Sequence, residues 1–98
     1  MQFDSLKKII DSGKKRGYSD SKYMNGELFH FWYGLSYSGD TYFAYYSYIE
    51  DSKIAMPEEY EIDDSRYFNN FEDAINYLIS KGADINLFSS YKGSKARF

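Results

Sequence analysis

The chain has 98 residues, 43% hydrophobic and 28% charged, with no cysteine, one proline, one histidine and a net charge of −3. That balance describes one globular domain with a modest core, and the missing cysteines exclude a disulfide scaffold, a thiolate zinc site and thiol catalysis. No run approaches the ~18 apolar residues of a membrane span, and Met1–Lys8 lacks the apolar core of a signal peptide, so a cytoplasmic protein with no membrane partner is expected.

Aromatic residues make up 21% of the chain, with 12 tyrosines and 8 phenylalanines. A core of this size cannot bury them all deeply. Tyrosine is stiff and amphipathic, so it serves a core edge or a binding face equally well. Charge is segregated along the chain. Residues 1–22 carry six bases against three acids, residues 40–73 ten acids against Lys53 and Arg66, and residues 74–98 four bases against Asp84. An acidic middle lies between two basic ends.

In chain order, residues 5–16 read as a helix with Phe3, Leu6, Ile9, Ile10 and Gly13 on one face, capped by Asp4 or Ser5 and stopped at Gly17. Residues 18–26 are polar. Their end, Asn25-Gly26, favours a tight hairpin turn, with Lys22–Met24 as a short entering strand. Glu27–Tyr37 is a nearly continuous apolar strand, Ser38-Gly39-Asp40 a turn, and Thr41–Glu50 the next strand. Lys53–Met56 reads as a third strand ended by Pro57, and Glu58–Asp64 as a loop or exposed edge. Asn69 with Glu72 has capping-box spacing. It opens a helix that buries Phe71, Ala74, Ile75, Leu78 and Ile79 and stops at Gly82. Ile85, Leu87 and Phe88 form a short strand or pack back on that helix.

This order predicts an α+β fold: a small two-layer sandwich, in which an antiparallel meander of two to four strands carries an N-terminal and a C-terminal helix on one face. Residues 1–88 form the single domain and 89–98 a basic, frayed tail. Tyr77–Asn86 resembles the second helix and exit loop of an ankyrin repeat, but the Thr-Pro-Leu-His turn and first helix of that repeat are absent. The tyrosines of Thr41–Glu50 are similar to the stacking platforms of RNA-binding sheets, although Asp40, Glu50 and Asp51 flank them where a phosphate backbone needs a positive field.

His30 is the only imidazole available as a base. No Gly-x-Ser-x-Gly turn, phosphate loop or calcium loop occurs, so a non-enzymatic protein with no cofactor and no metal site is expected. Phe43 and Ile49 are the better core residues of their strand, which leaves Tyr42, Tyr46 and Tyr48 on its open face. With Tyr60 and the acids Glu58, Glu59, Glu61, Asp63 and Asp64, they make the expected partner-binding surface. Aromatic anchors beside steering acids suit a basic protein partner. A toxin-immunity protein or a phage inhibitor of a nuclease fits this pattern. The alternatives are a single-stranded nucleic-acid binder and a structural or homo-oligomerising module.

Overall fold

The computed structural model describes residues 3–90 and residue 98. Helix α1 runs Phe3–Asp11 and buries Leu6 and Ile10, one helical turn apart. It ends earlier than its pattern suggests. Gly13 takes φ +94° and donates its N–H to the Ile10 carbonyl, a conformation that only glycine adopts without strain. Arg16 and Gly17, expected at the helix end, already belong to strand β1, Arg16–Met24. The short strand expected at Lys22–Met24 is therefore nine residues long. Its polar side chains suit an edge strand, which pairs with β2 along all nine residues and lies at the end of the sheet.

Strands β2 (Glu27–Ser38) and β3 (Thr41–Glu50) complete a meander. Its turns, Asn25-Gly26 and Gly39-Asp40, hold both central residues at positive φ, which matches the twist of the strands they join. No strand forms at Lys53–Met56. A 3₁₀ turn spans Asp51–Lys53, and Pro57 opens the one-turn helix α2, Pro57–Tyr60, where its missing N–H costs nothing. Two short strands follow, β4 (Ile62–Asp63) and β5 (Arg66–Phe68), and both pair antiparallel with β3. Ser65 separates them. Its hydroxyl accepts from the Tyr46 N–H at 3.0 Å and donates to the Asp63 carboxylate at 2.5 Å, so a side chain takes the place of a ladder bond.

Helix α3 spans Phe71–Ser80. Its cap is Asn70 rather than Asn69: the Asn70 side chain accepts from the Asp73 N–H at 2.8 Å, one residue beyond the expected Asn69–Glu72 pair. Gly82, at φ +101°, stops the helix. A 3₁₀ turn at Ile85–Leu87 then drops Phe88 into the core, and Ser89 exchanges backbone hydrogen bonds with Gly17. Residues 91–97 of the expected frayed tail lie outside the described residues. Among the described residues no helix is long and apolar enough to cross a membrane.

The α+β sandwich is the observed architecture, with a five-stranded sheet among the described residues. Both long helices pack on one face. Leu6 and Ile10 of α1, with Phe71, Ala74, Ile75 and Leu78 of α3, meet Tyr33 and Leu35 of β2 and Tyr42, Ala44 and Tyr46 of β3. This reverses the expected assignment of faces. Tyr42 and Tyr46 are only 8% and 7% exposed, and Tyr48 is half-buried. The reason lies in the hydroxyls. Tyr42 reaches across the core to donate to Asp11 at the end of α1, at 2.5 Å, and Tyr33 donates to the Lys81 carbonyl just past α3, at 3.1 Å. Tyr42 and Tyr33 thus fill the layer and satisfy a polar group at its far side, which a phenylalanine could not do, while Ile49 is buried on the other face of the sheet. Burial, reinforced by the Asp11 bond, pushes the Tyr42 hydroxyl up to about 12. Phe43 instead faces outward against Tyr67, with ring centroids 4.8 Å apart.

Ile79, expected in the core, is 44% exposed, because it lies off the stripe set by Phe71, Ala74, Ile75 and Leu78. Leu78→Ala should lower the unfolding free energy by roughly 2–5 kcal/mol, whereas Ile79→Ala should cost under about 0.5 kcal/mol. Urea midpoints of the two variants check the assignment of the helix face.

Candidate functional site

Helices α1 and α3 leave one end of their sheet face open. Phe29 and Tyr48 project there, with ring centroids 6.3 Å apart, and the register sets Glu50 opposite Phe29. The chain then turns through Asp51–Lys53 and returns as α2 and β4. Tyr60 and Ile62 form a second wall facing Phe29 and Tyr48, and a groove of about 330 Å³ opens between them. Carboxylates rim it: Glu50 from β3, Glu59 from α2 and Glu61 from the α2–β4 link. Tyr60 and Ile62 in its wall are exposed, as are Ile54 and Met56 in the segment leading into α2. Contiguous exposed apolar side chains with a polar rim mark interaction sites.

One cation already stands in this groove. Lys53 places its Nζ 4.8 Å from the centre of the Tyr60 ring and 3.5 Å from Glu50 Oε2. Glu50 also shares a hydrogen bond with Glu27. That bond, and repulsion between the two carboxylates, hold the Glu27 carboxyl above the usual glutamate range. More negative charge is gathered here than Lys53 neutralises.

The nine residues expected to bind a partner separate into three sets. Tyr48, Glu59, Tyr60 and Glu61 come together in the groove, and Glu58 is exposed on the same short helix. Tyr42 and Tyr46 belong to the core and offer no binding surface. Asp63 and Asp64 are engaged within the chain. Asp63 accepts from the Ser65 N–H and hydroxyl, and Asp64 pairs with Arg66 at 3.4 Å and Lys81 at 3.9 Å. Phe29, Glu50, Lys53 and Ile62 were not singled out by the sequence. The turn at Gly39-Asp40 carries a signal for Glu50, since a two-residue hairpin turn fixes the register that brings it to Phe29.

The outer sheet face holds a second cluster. Ser21 and His30 are cross-strand partners, with Ser21 Oγ 2.8 Å from Nδ1, while Nε2 lies 2.6 Å from Asp51 Oδ1. A ring that donates from Nε2 to Asp51 accepts the Ser21 hydroxyl proton at Nδ1. These are the members of a nucleophile–base–orienter set. The Ser21 N–H, however, is committed to the Asp20 side chain at 2.8 Å, the Asp51 side chain is 53% exposed to competing water, and the groove does not reach Ser21. We read the cluster as a tie that fixes the Asp51–Lys53 turn against the hairpin and so sets where Lys53 points. Farther along the same face of β2, Gly34 is required by close approach: Phe98 lies where a Cβ would project, with its ring 5.0 Å from that of Tyr45.

No family model, no curated protein and no solved structure matches the chain. Among the described residues no group of three or more His, Cys, Asp or Glu side chains is arranged to hold a metal ion.

The Glu27–Glu50 pair sets a pH dependence. A carboxyl whose folded pKa is raised stabilises the fold below its ordinary value of 4.5, and that contribution is lost as pH rises through the raised value. Glu27→Gln should therefore flatten the decline in stability over the pH range above the ordinary glutamate value. Urea midpoints of wild type and variant across that range measure the effect, which is expected to shrink in high salt.

Proposed function

We propose that this protein is a non-enzymatic binding domain that occupies a basic protein through the groove end of the molecule. The observation that carries this reading is the convergence of Tyr48, Tyr60 and Phe29 with Glu50, Glu59 and Glu61 in one open groove. Aromatic side chains anchor and exclude water, while carboxylates speed encounter and orient the partner. Occupation of a basic partner's working surface is inhibition, as a toxin-immunity protein or a phage inhibitor of a nuclease would perform it. The acids at the groove are Glu50, Glu59 and Glu61 with Glu58 beside them, whereas Asp63 and Asp64 bond to Ser65, Arg66 and Lys81 away from it. A second reading, single-stranded nucleic-acid binding, would use the outer face, where Phe43 and Tyr67 are cross-strand partners and Trp32 lies on the same face.

The test is affinity capture from lysate at low and high salt, with and without nuclease treatment, followed by binding kinetics on the captured partner. The expected partner is a basic protein retained after nuclease treatment. Neutralising Glu58, Glu59 and Glu61 together should slow its association by about tenfold and flatten the salt dependence. Tyr60→Ala should raise the off-rate by an amount equivalent to about 2 kcal/mol. Captured nucleic acid, with binding strengthened by the acid-neutral variant, would favour the outer-face reading instead.

A further inference from the structure

We propose that the groove is a socket for one arginine side chain of the partner, and that Lys53 is its resident, weaker occupant. The inference rests on the basic-protein reading above and names what that partner must present.

Lys53 marks the position of the cation. Its ammonium lies over Tyr60 and beside Glu50, both of which line the cavity. The fit is loose. A contact of 3.5 Å to one carboxylate oxygen is long for a charge-assisted bond, and the Lys53 side chain remains 46% exposed. A lysine ammonium is a strongly hydrated point charge, and this one must reach back along its own chain from a turn only three residues past Glu50. A guanidinium is a flat fork of five donors that sheds water more easily, stacks on an aromatic face and bonds two carboxylates at once. Those are the surfaces the groove offers. Tyr60 and Tyr48 supply aromatic walls, Phe29 and Ile62 an apolar seat for the methylene stem, and Glu50 and Glu59 carboxylates on the rim. At about 330 Å³ the cavity stands at the small end of the ~300–1,000 Å³ range of ligand pockets, which suits one side chain better than a cofactor.

An arginine entering this site must displace Lys53. The domain then holds its socket filled when alone and exchanges one cation for a better one on binding.

The experiment titrates fluorescently labelled hexa-arginine and hexa-lysine peptides, equal in charge, into the folded full chain and reads anisotropy. Wild type should bind hexa-arginine about fivefold more tightly. Tyr60→Ala should erase that preference while leaving hexa-lysine affinity within about twofold. Lys53→Met should favour hexa-arginine more than hexa-lysine. Lys53→Arg keeps the net charge and places the better cation in the socket, so hexa-arginine affinity should fall by about threefold. Far-UV circular dichroism confirms that each variant is folded. Equal affinities for the two peptides, both weakened when Glu58, Glu59 and Glu61 are neutralised, would overturn the arginine socket and leave the basic-protein reading standing. No binding of either peptide at low salt would remove both. Arginine preference unchanged by Lys53→Arg and by Tyr60→Ala would place the arginine elsewhere and sink the socket.

Discussion

A two-residue turn at Gly39-Asp40 aligns β2 with β3 residue for residue, from Ser38 opposite Thr41 to Phe29 opposite Glu50. Side chains alternate across a strand, so this register sets both faces of the sheet at once. It stacks Tyr33 on Tyr46 and Leu35 beside Ala44 beneath the helices. It also carries Phe29, Tyr48 and Glu50 past the end of the helical layer, where they become the groove. A slip of one residue would exchange the core for the outer face and scatter the carboxylates.

The two long strands, the tight turns between them, the last helix and its glycine stop were legible from periodicity and turn chemistry. Which face of the strands turned inward was not. Alternation fixes the period of a pattern and leaves its sign open when both faces are aromatic. Ile49 is buried as its apolarity suggests, on the outer face, but ranking Phe43 above Tyr42 by apolarity ignored what lies across the layer. The buried tyrosines end on polar groups at the helix termini, Asp11 and the Lys81 carbonyl, and their hydroxyls join the two layers. Asp11 gains from the same arrangement. The Lys7 ammonium and the Tyr42 hydroxyl hold its carboxyl below the usual aspartate range. The exposed edge expected within Glu58–Asp64 is β4, but α2 and β5 escaped notice because three or four residues carry no period, and Ser65 sets the β4–β5 boundary through a side-chain bond to Tyr46.

The acidic middle of the sequence is likewise not one surface. Asp64 is drawn into pairs with Arg66 and Lys81. Asp73 serves the cap of α3, and Asp40 accepts from the Tyr37 hydroxyl at 3.1 Å. Charge counted along a chain overstates the charge a partner meets, because local hydrogen bonding consumes part of it. Around the groove itself the acids are fewer and more closely placed: Glu50 lies on its rim from β3, and Glu58, Glu59 and Glu61 belong to the segment that returns over it.

The split between β4 and β5 governs how this side of the molecule can be approached. An unbroken edge strand offers a row of backbone donors and acceptors, and it invites strand addition by a peptide or by another copy of the chain. Here β3 is covered in two pieces of two and three residues, with the Ser65 hydroxyl inserted between them. Neither piece is long enough to template a further strand. A surface of this kind presents side chains where an unbroken edge strand would present backbone, so the generic stickiness of a free sheet edge is absent along β4 and β5.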